Sequence, residues 1–134
     1  MPIDDSFLST WTPRAQAVLR IVTAYLFVVH GSAKLLGVPH VASYDALQVF
    51  SLIGLAGILE LVGGVLLLVG LFTRLTAFVL SGEMAFAYFI GHASQGNALV
   101  PMLNRGELAV LFCFVFLFFA FAGPGAWSVD RFRR

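Results

Sequence analysis

Charge is what this sequence has least of. Asp, Glu, Lys and Arg make up only 11% of its 134 residues, against about a quarter in an ordinary soluble domain, so a water-facing surface of normal charge density is excluded. Cysteine is almost as scarce. Cys113 stands alone, which rules out an intrachain disulfide, a self-contained Cys-X-X-Cys pair and a cysteine-held metal cluster. No glycine-rich flavin or dinucleotide fingerprint occurs. With a net charge of +1 and no basic cluster beyond Arg131, Arg133 and Arg134, nucleic acid is not an expected partner. Asp4 and Asp5 stand where a cleavable leader carries positive charge, so none is expected.

What the chain has instead is hydrocarbon. It is 60% hydrophobic with a mean hydropathy of +0.94, the composition of a membrane protein of one domain, residues 1–134. Four apolar segments predict four spans, at about 14–37, 51–71, 75–94 and 106–122. Trp11 and Trp127 stand as interfacial anchors before the first and after the last, and Pro13 is placed to open the first helix. Arg20 is expected to snorkel back to the headgroups. Gly37, Pro39 and His40 break the chain, and residues 40–50 are too short to cross. They predict an interfacial or re-entrant piece between spans 1 and 2. The fold class is therefore an all-α, integral membrane four-helix bundle.

Four spans place both termini on one side. Arg14, Arg20, Arg74, Arg131, Arg133 and Arg134 flank that side, and only Lys34 and Arg105 the other. The positive-inside rule then puts both termini in the cytoplasm of a multi-pass protein of a bacterial inner membrane.

The stretch Leu59–Arg74, which covers most of the second span and the turn after it, reads LELVGGVLLLVGLFTR and holds one acid, Glu60. An acid in hydrocarbon is costly and calls for a reason. Gly63 and Gly64, three and four residues on, leave room for another helix. Glu83 lies at the middle of the third span. At about 1.5 Å per residue each acid is roughly 13 Å from its helix end, near the centre of a core about 30 Å thick. His30, Lys34, His92, Asn104, Arg105 and Glu107 fall in the outer third. The pattern predicts an outward-opening polar pocket with both acids on its floor. His30 is the basic group nearest in depth, so Glu60 is expected to share hydrogen bonds with it. Lys34 and Arg105 read as interfacial charges that turn outward, and Glu107 as a helix-start acid.

Taken in order, several pieces resemble the DoxX-like family of small membrane proteins. They are His30-Gly31…Lys34, then Glu60-Leu-Val-Gly63-Gly64…Gly70-Leu-Phe-Thr73-Arg74, and Met84…His92 in the third span. Asn104-Arg-Gly106-Glu107 opens the fourth, and Gly123-Pro-Gly125…Ser128-Val-Asp130 follows it. The resemblance implies a four-helix protein of bacterial inner membranes, with relatives that include a subunit of an archaeal thiosulfate:quinone oxidoreductase and others linked to redox homeostasis.

Two functions compete. One is a quinone-handling redox subunit, an oxidoreductase component rather than a complete enzyme. Its ligand-pocket candidates are His30, Lys34, Glu60, Glu83, His92, Asn104 and Glu107, and a soluble or membrane partner would carry the electrons. The other is a non-catalytic assembly or stability factor, with homo-oligomers also compatible. No metal site and no covalent cofactor are implied, and haem held by His30 and His92 is the weakest reading.

Overall fold

A computed structural model describes residues 4–133, and among them every regular element is helical. Helix α1 spans Asp5–Leu35 and α2 spans Leu52–Val69. Helix α3, Thr73–Ala87, runs on through a π turn at Tyr88–His92 and a 3-10 turn at Ala93–Gln95. A short α4, Pro101–Asn104, precedes α5, Glu107–Ala122. By length and composition α1, α2 and the Thr73–Gln95 run can each cross a membrane, and α5 is a shorter apolar helix.

Helix α1 differs from its sequence reading at the start. It begins at Asp5, not near Arg14, and Pro13 lies inside it. Asp4 caps it by accepting from the Ser6 amide at 3.3 Å, and a polar N-terminal stretch needs no hydrocarbon to be helical. Residues 40–50 form no span: a 3-10 turn at Ala42–Tyr44 and further turns lead to Ser51, whose hydroxyl caps α2.

The core is assembled from α1, α2, α3 and α5. Ala24, Phe27, Leu67, Ala77, Leu80, Met84, Phe112, Phe116 and Phe119 form one cluster. Phe112, Phe116 and Phe119 recur at helical spacing and turn inward, while Phe114, Phe118 and Phe121 face outward as a lipid-facing helix requires. Helices α1 and α2 pair closely because small residues sit between them. A Cβ on Gly31 would lie 2.5 Å from the Leu61 amide, and one on Gly64 would lie 2.8 Å from a Val28 methyl. Gly63 faces Leu80 of α3 in the same way.

One end of the bundle gathers both ends of the chain and is tied shut by the segment after α5. Arg20 is fully buried there rather than snorkelling outward. It donates to the carbonyls of Pro124, Ala126 and Trp127. Three carbonyls freed by the Gly123–Trp127 bend need donors, and a guanidinium can supply several in one plane. Gln16 donates to Gly123 O at 2.6 Å, and Arg74 donates to the last carbonyls of α5, on Ala120 and Phe121. The turn between α2 and α3 closes at Gly70 in the left-handed conformation (φ +70°), and the Asp130 carboxylate accepts from the Phe72 and Thr73 amides at 2.8 Å each.

Candidate functional site

From that tight turn α2 and α3 pack only partway along their length. Beyond Gly63 and Leu80 a cavity of about 800 Å³ lies between them, within the size range of small-molecule sites. Its walls are apolar: Leu52, Leu55, Ala56 and Leu59 on α2, Val79, Phe86 and Ile90 on the α3 side. Leu52, Leu55, Val79, Phe86 and Ile90 are also exposed on the bundle surface, so the cavity is a groove open on the apolar outer face of the bundle. Gly82 and Gly91 help to line it, and a Cβ on either would meet nothing within 4 Å. Here glycine widens a ligand-sized space instead of bringing helices together.

Lys34, Glu60, Glu83 and His92 are the ionisable residues of the groove. Lys34 Nζ lies 2.6 Å from both carboxylate oxygens of Glu60. This overturns the expected Glu60–His30 hydrogen bond and the outward-turned Lys34. Depth counted along Cα positions overlooked the four-carbon stem of lysine, which carries the ammonium inward along an apolar wall. Removing both charges from solvent requires such pairing, and the side chains are only 11% and 4% exposed. The Tyr44 ring of the 36–51 connection covers the ammonium, with Nζ 6.0 Å from its centroid.

Glu83 is different. Both of its carboxyl oxygens are buried, and neither has a hydrogen-bond partner among the described residues. A buried carboxyl group without a protein partner is costly and therefore informative.

His92 reaches the groove because of the π turn. At about 100° per residue, the nine residues from Glu83 would put His92 on the opposite face of a continuous α-helix. The π turn, in which the Ala93 amide bonds Tyr88 O, absorbs one residue and cuts that offset to about 80°. His92 Nδ1 lies 3.1 Å from Asn104 O. Asn104 itself is buried, with its side chain joined to Tyr88 Oη, Asn97 O and the Gly106 amide. Asn104 thus supports the site from behind rather than lining it.

Two sequence candidates fall elsewhere. His30 is exposed, its ring 6.3 Å from that of Phe112 on α5. Glu107 is exposed beside Arg105 at the start of α5, bordering a separate depression with Met102, Leu108 and Leu111. Helical spacing put His30 and Lys34 on one face, but the crossing of α1 with α2 brings only the later of them to the groove. Among the described residues, no three His, Cys, Asp or Glu side chains gather as a metal-ion site. Tyr88, Gly82 and Gly91 were not singled out from sequence. The π turn that gives Tyr88 and Gly91 their meaning leaves no local signature in composition.

Comparison with known proteins places this architecture. The DoxX family profile matches residues 15–93, which holds Lys34, Glu60, Glu83 and His92. An uncharacterized protein of Haemophilus influenzae is 46% identical over 126 residues, covering 92% of this chain and 94% of its own. The inner membrane protein YqjF of Escherichia coli is 31% identical over 116 residues, covering 85% and 88%. A Bacillus subtilis protein bearing the name "Putative oxidoreductase CatD" is 28% identical over 122 residues, covering 86% and 84%. No solved structure matches the chain. With its apolar helices and its inner-membrane relatives, this is a bacterial inner-membrane protein, and the chain belongs to the DoxX family.

Proposed function

We propose that the groove between α2 and α3 binds a membrane quinone, and that the protein serves as the quinone-handling subunit of a redox system. The observation that carries this reading is one groove with apolar walls, reached from the lipid, that holds an unpartnered carboxyl group beside a lysine–carboxylate pair. A quinone ring and tail suit the walls, and its carbonyl oxygens need a donor. Reduction of a quinone to a quinol consumes two electrons and two protons. The electrons come from a redox group on a partner protein. Glu83 is the group free to exchange a proton with a quinone oxygen, because Glu60 is engaged by Lys34. The oxidoreductase name of the Bacillus relative supports the same class of activity.

The orientation follows from charge. Arg14, Arg74, Arg131 and Arg133 stand at the clasped end with the termini, and Lys34 and Arg105 at the groove end. We infer four passes with both termini cytoplasmic and the groove in the outer half of the membrane. Arg133→Cys in a Cys113→Ala background should resist an impermeant thiol reagent in intact cells; labelling there reverses the orientation.

The function is tested with purified protein in nanodiscs titrated with decylubiquinone. Saturable binding that is weakened at least tenfold by Glu83→Gln supports it. Equal binding by wild type and Glu83→Gln, or none by either, leaves the groove to acyl chains and returns the non-catalytic assembly role.

A further inference from the structure

We propose that His92 relays protons between Glu83 and the water at the bundle end formed by residues 93–106, so that the groove exchanges protons with the membrane face away from the termini. The relay deepens the quinone reading and rests on the same groove.

Among the described residues, apolar side chains close the way from Glu83 to the clasped end. Leu67, Leu80, Phe116 and Phe119 fill the bundle between it and that end, each at most 1% exposed. The other ionisable groups of the groove are already committed. Passing a proton through Lys34 or Glu60 would require breaking a contact of 2.6 Å to each carboxylate oxygen. Tyr88 is also occupied, its hydroxyl donating to Ala98 O at 2.7 Å and accepting from Asn104 Nδ2 at 3.1 Å. That leaves His92, which lines the groove, is partly exposed, and is followed by the exposed residues Ser94–Val100.

Its tether fixes its chemistry. The Asn104 carbonyl can only accept, so Nδ1 carries a hydrogen, and Nε2 of the neutral ring is an acceptor. Nε2 takes a proton from water at the mouth and passes it to Glu83, directly or through groove water. The Nδ1 hydrogen stays on the ring, donated to the Asn104 carbonyl, throughout. Only bonds to hydrogen change, and no electron moves. Wrapping Asn104 in three further hydrogen bonds holds its carbonyl where the ring needs it. The π turn then has a purpose: it puts a proton-exchanging ring on the face that carries Glu83.

Infrared spectroscopy of oriented proteoliposomes tests this without any redox partner. The Glu83 carboxyl band is identified by its loss in Glu83→Gln. A pH jump applied at the face bearing residues 93–106 should change that band quickly, and a jump at the terminal face should not. His92→Gln keeps an amide donor for Asn104 O; it should slow the response roughly a hundredfold, with free imidazole in the buffer restoring it. A merely structural role for His92 would give neither slowing nor rescue. A response to the terminal face, or a wild-type rate in folded His92→Gln, overturns the relay. If that variant fails to fold, the sidedness of the wild-type response still decides. Sided exchange without decylubiquinone binding would refute only the quinone reading, and binding without sided exchange only the relay.

Discussion

The two ends of this bundle use polar side chains in opposite ways. At the end that gathers the termini, Arg20, Gln16, Arg74 and Asp130 are committed to backbone carbonyls and amides of the Phe119–Asp130 region and the α2–α3 turn. What goes unpaired there is one nitrogen of an otherwise bonded guanidinium and the neutral hydroxyls of Thr73 and Ser128. At the other end a whole carboxyl group, Glu83, is left without a hydrogen-bond partner among the described residues, and two glycines hold a space open instead of closing one. Burying a polar group is favourable only when it is satisfied. The first end is therefore built to hold the fold, and the second bears a cost that the fold does not need.

The sharpest way to break that contrast is Lys34→Met, because the groove end also contains one structural pair. It strands Glu60 as an unpaired buried charge and should cost about 3–5 kcal/mol, read by unfolding in detergent. The double variant Lys34→Met/Glu60→Leu should recover most of the loss. If the single variant is as stable as wild type, the pair belongs to the site alone.

Arg20→Met should be the most damaging change at the clasped end, at about 3 kcal/mol for three carbonyls left without their charged donor. Stability near wild type would show that the clasp is dispensable. Gly64→Leu drives a side chain into Val28 and should cost about 1–3 kcal/mol, seen as lower folded yield or melting temperature.

Asp130→Asn should cost about 1 kcal/mol, as the loss of a helix cap does. Burial alone would raise the Asp130 carboxyl, but hydrogen bonds from Thr73 and Phe72, with Arg133 nearby, hold it below the ordinary 3.8. A lowered value means that the ionised form is favoured in the folded state. The contribution is thus present above the ordinary carboxylate value and lost as pH falls through the lowered one. Melting curves of wild type and Asp130→Asn should converge in acid; a constant gap would assign the effect to shape.

The smallest effect on stability is expected at Gly82→Leu, within about 0.5 kcal/mol, since nothing stands near its Cβ. The same leucine should fill the groove and abolish decylubiquinone binding. A large loss of stability there would mean the space is not held open for a ligand.

Much of this was legible in the chain. The apolar runs predict α2, the third helix and α5 within a few residues, and Gly63 and Gly64 mark where helices meet. Glu60 and Glu83 were the residues least compatible with hydrocarbon, and both line the groove. Three things were not legible. Asp4 moved the start of α1 beyond Pro13, an effect of a local cap on a polar stretch that hydropathy does not weigh. Arg20 reads as a snorkelling cation until the Gly123–Trp127 carbonyls come within its reach, over a hundred residues away in sequence. Depth names His92 for the pocket, but the π turn that turns its ring toward the Glu83 face has no local signal in the sequence.

The sequence by itself determined the solvent of this protein, its helical class and the two acids that hydrocarbon does not tolerate without a reason. Those follow from composition and periodicity, which are sums over near neighbours. Only the tertiary structure decided that Lys34 rather than His30 meets Glu60, that Glu83 has no hydrogen-bond partner among the described residues, and that the Asn104 carbonyl holds the His92 ring. Such pairings depend on side-chain length, helix crossing and one absorbed residue of twist, and these are set by packing between segments distant in the chain.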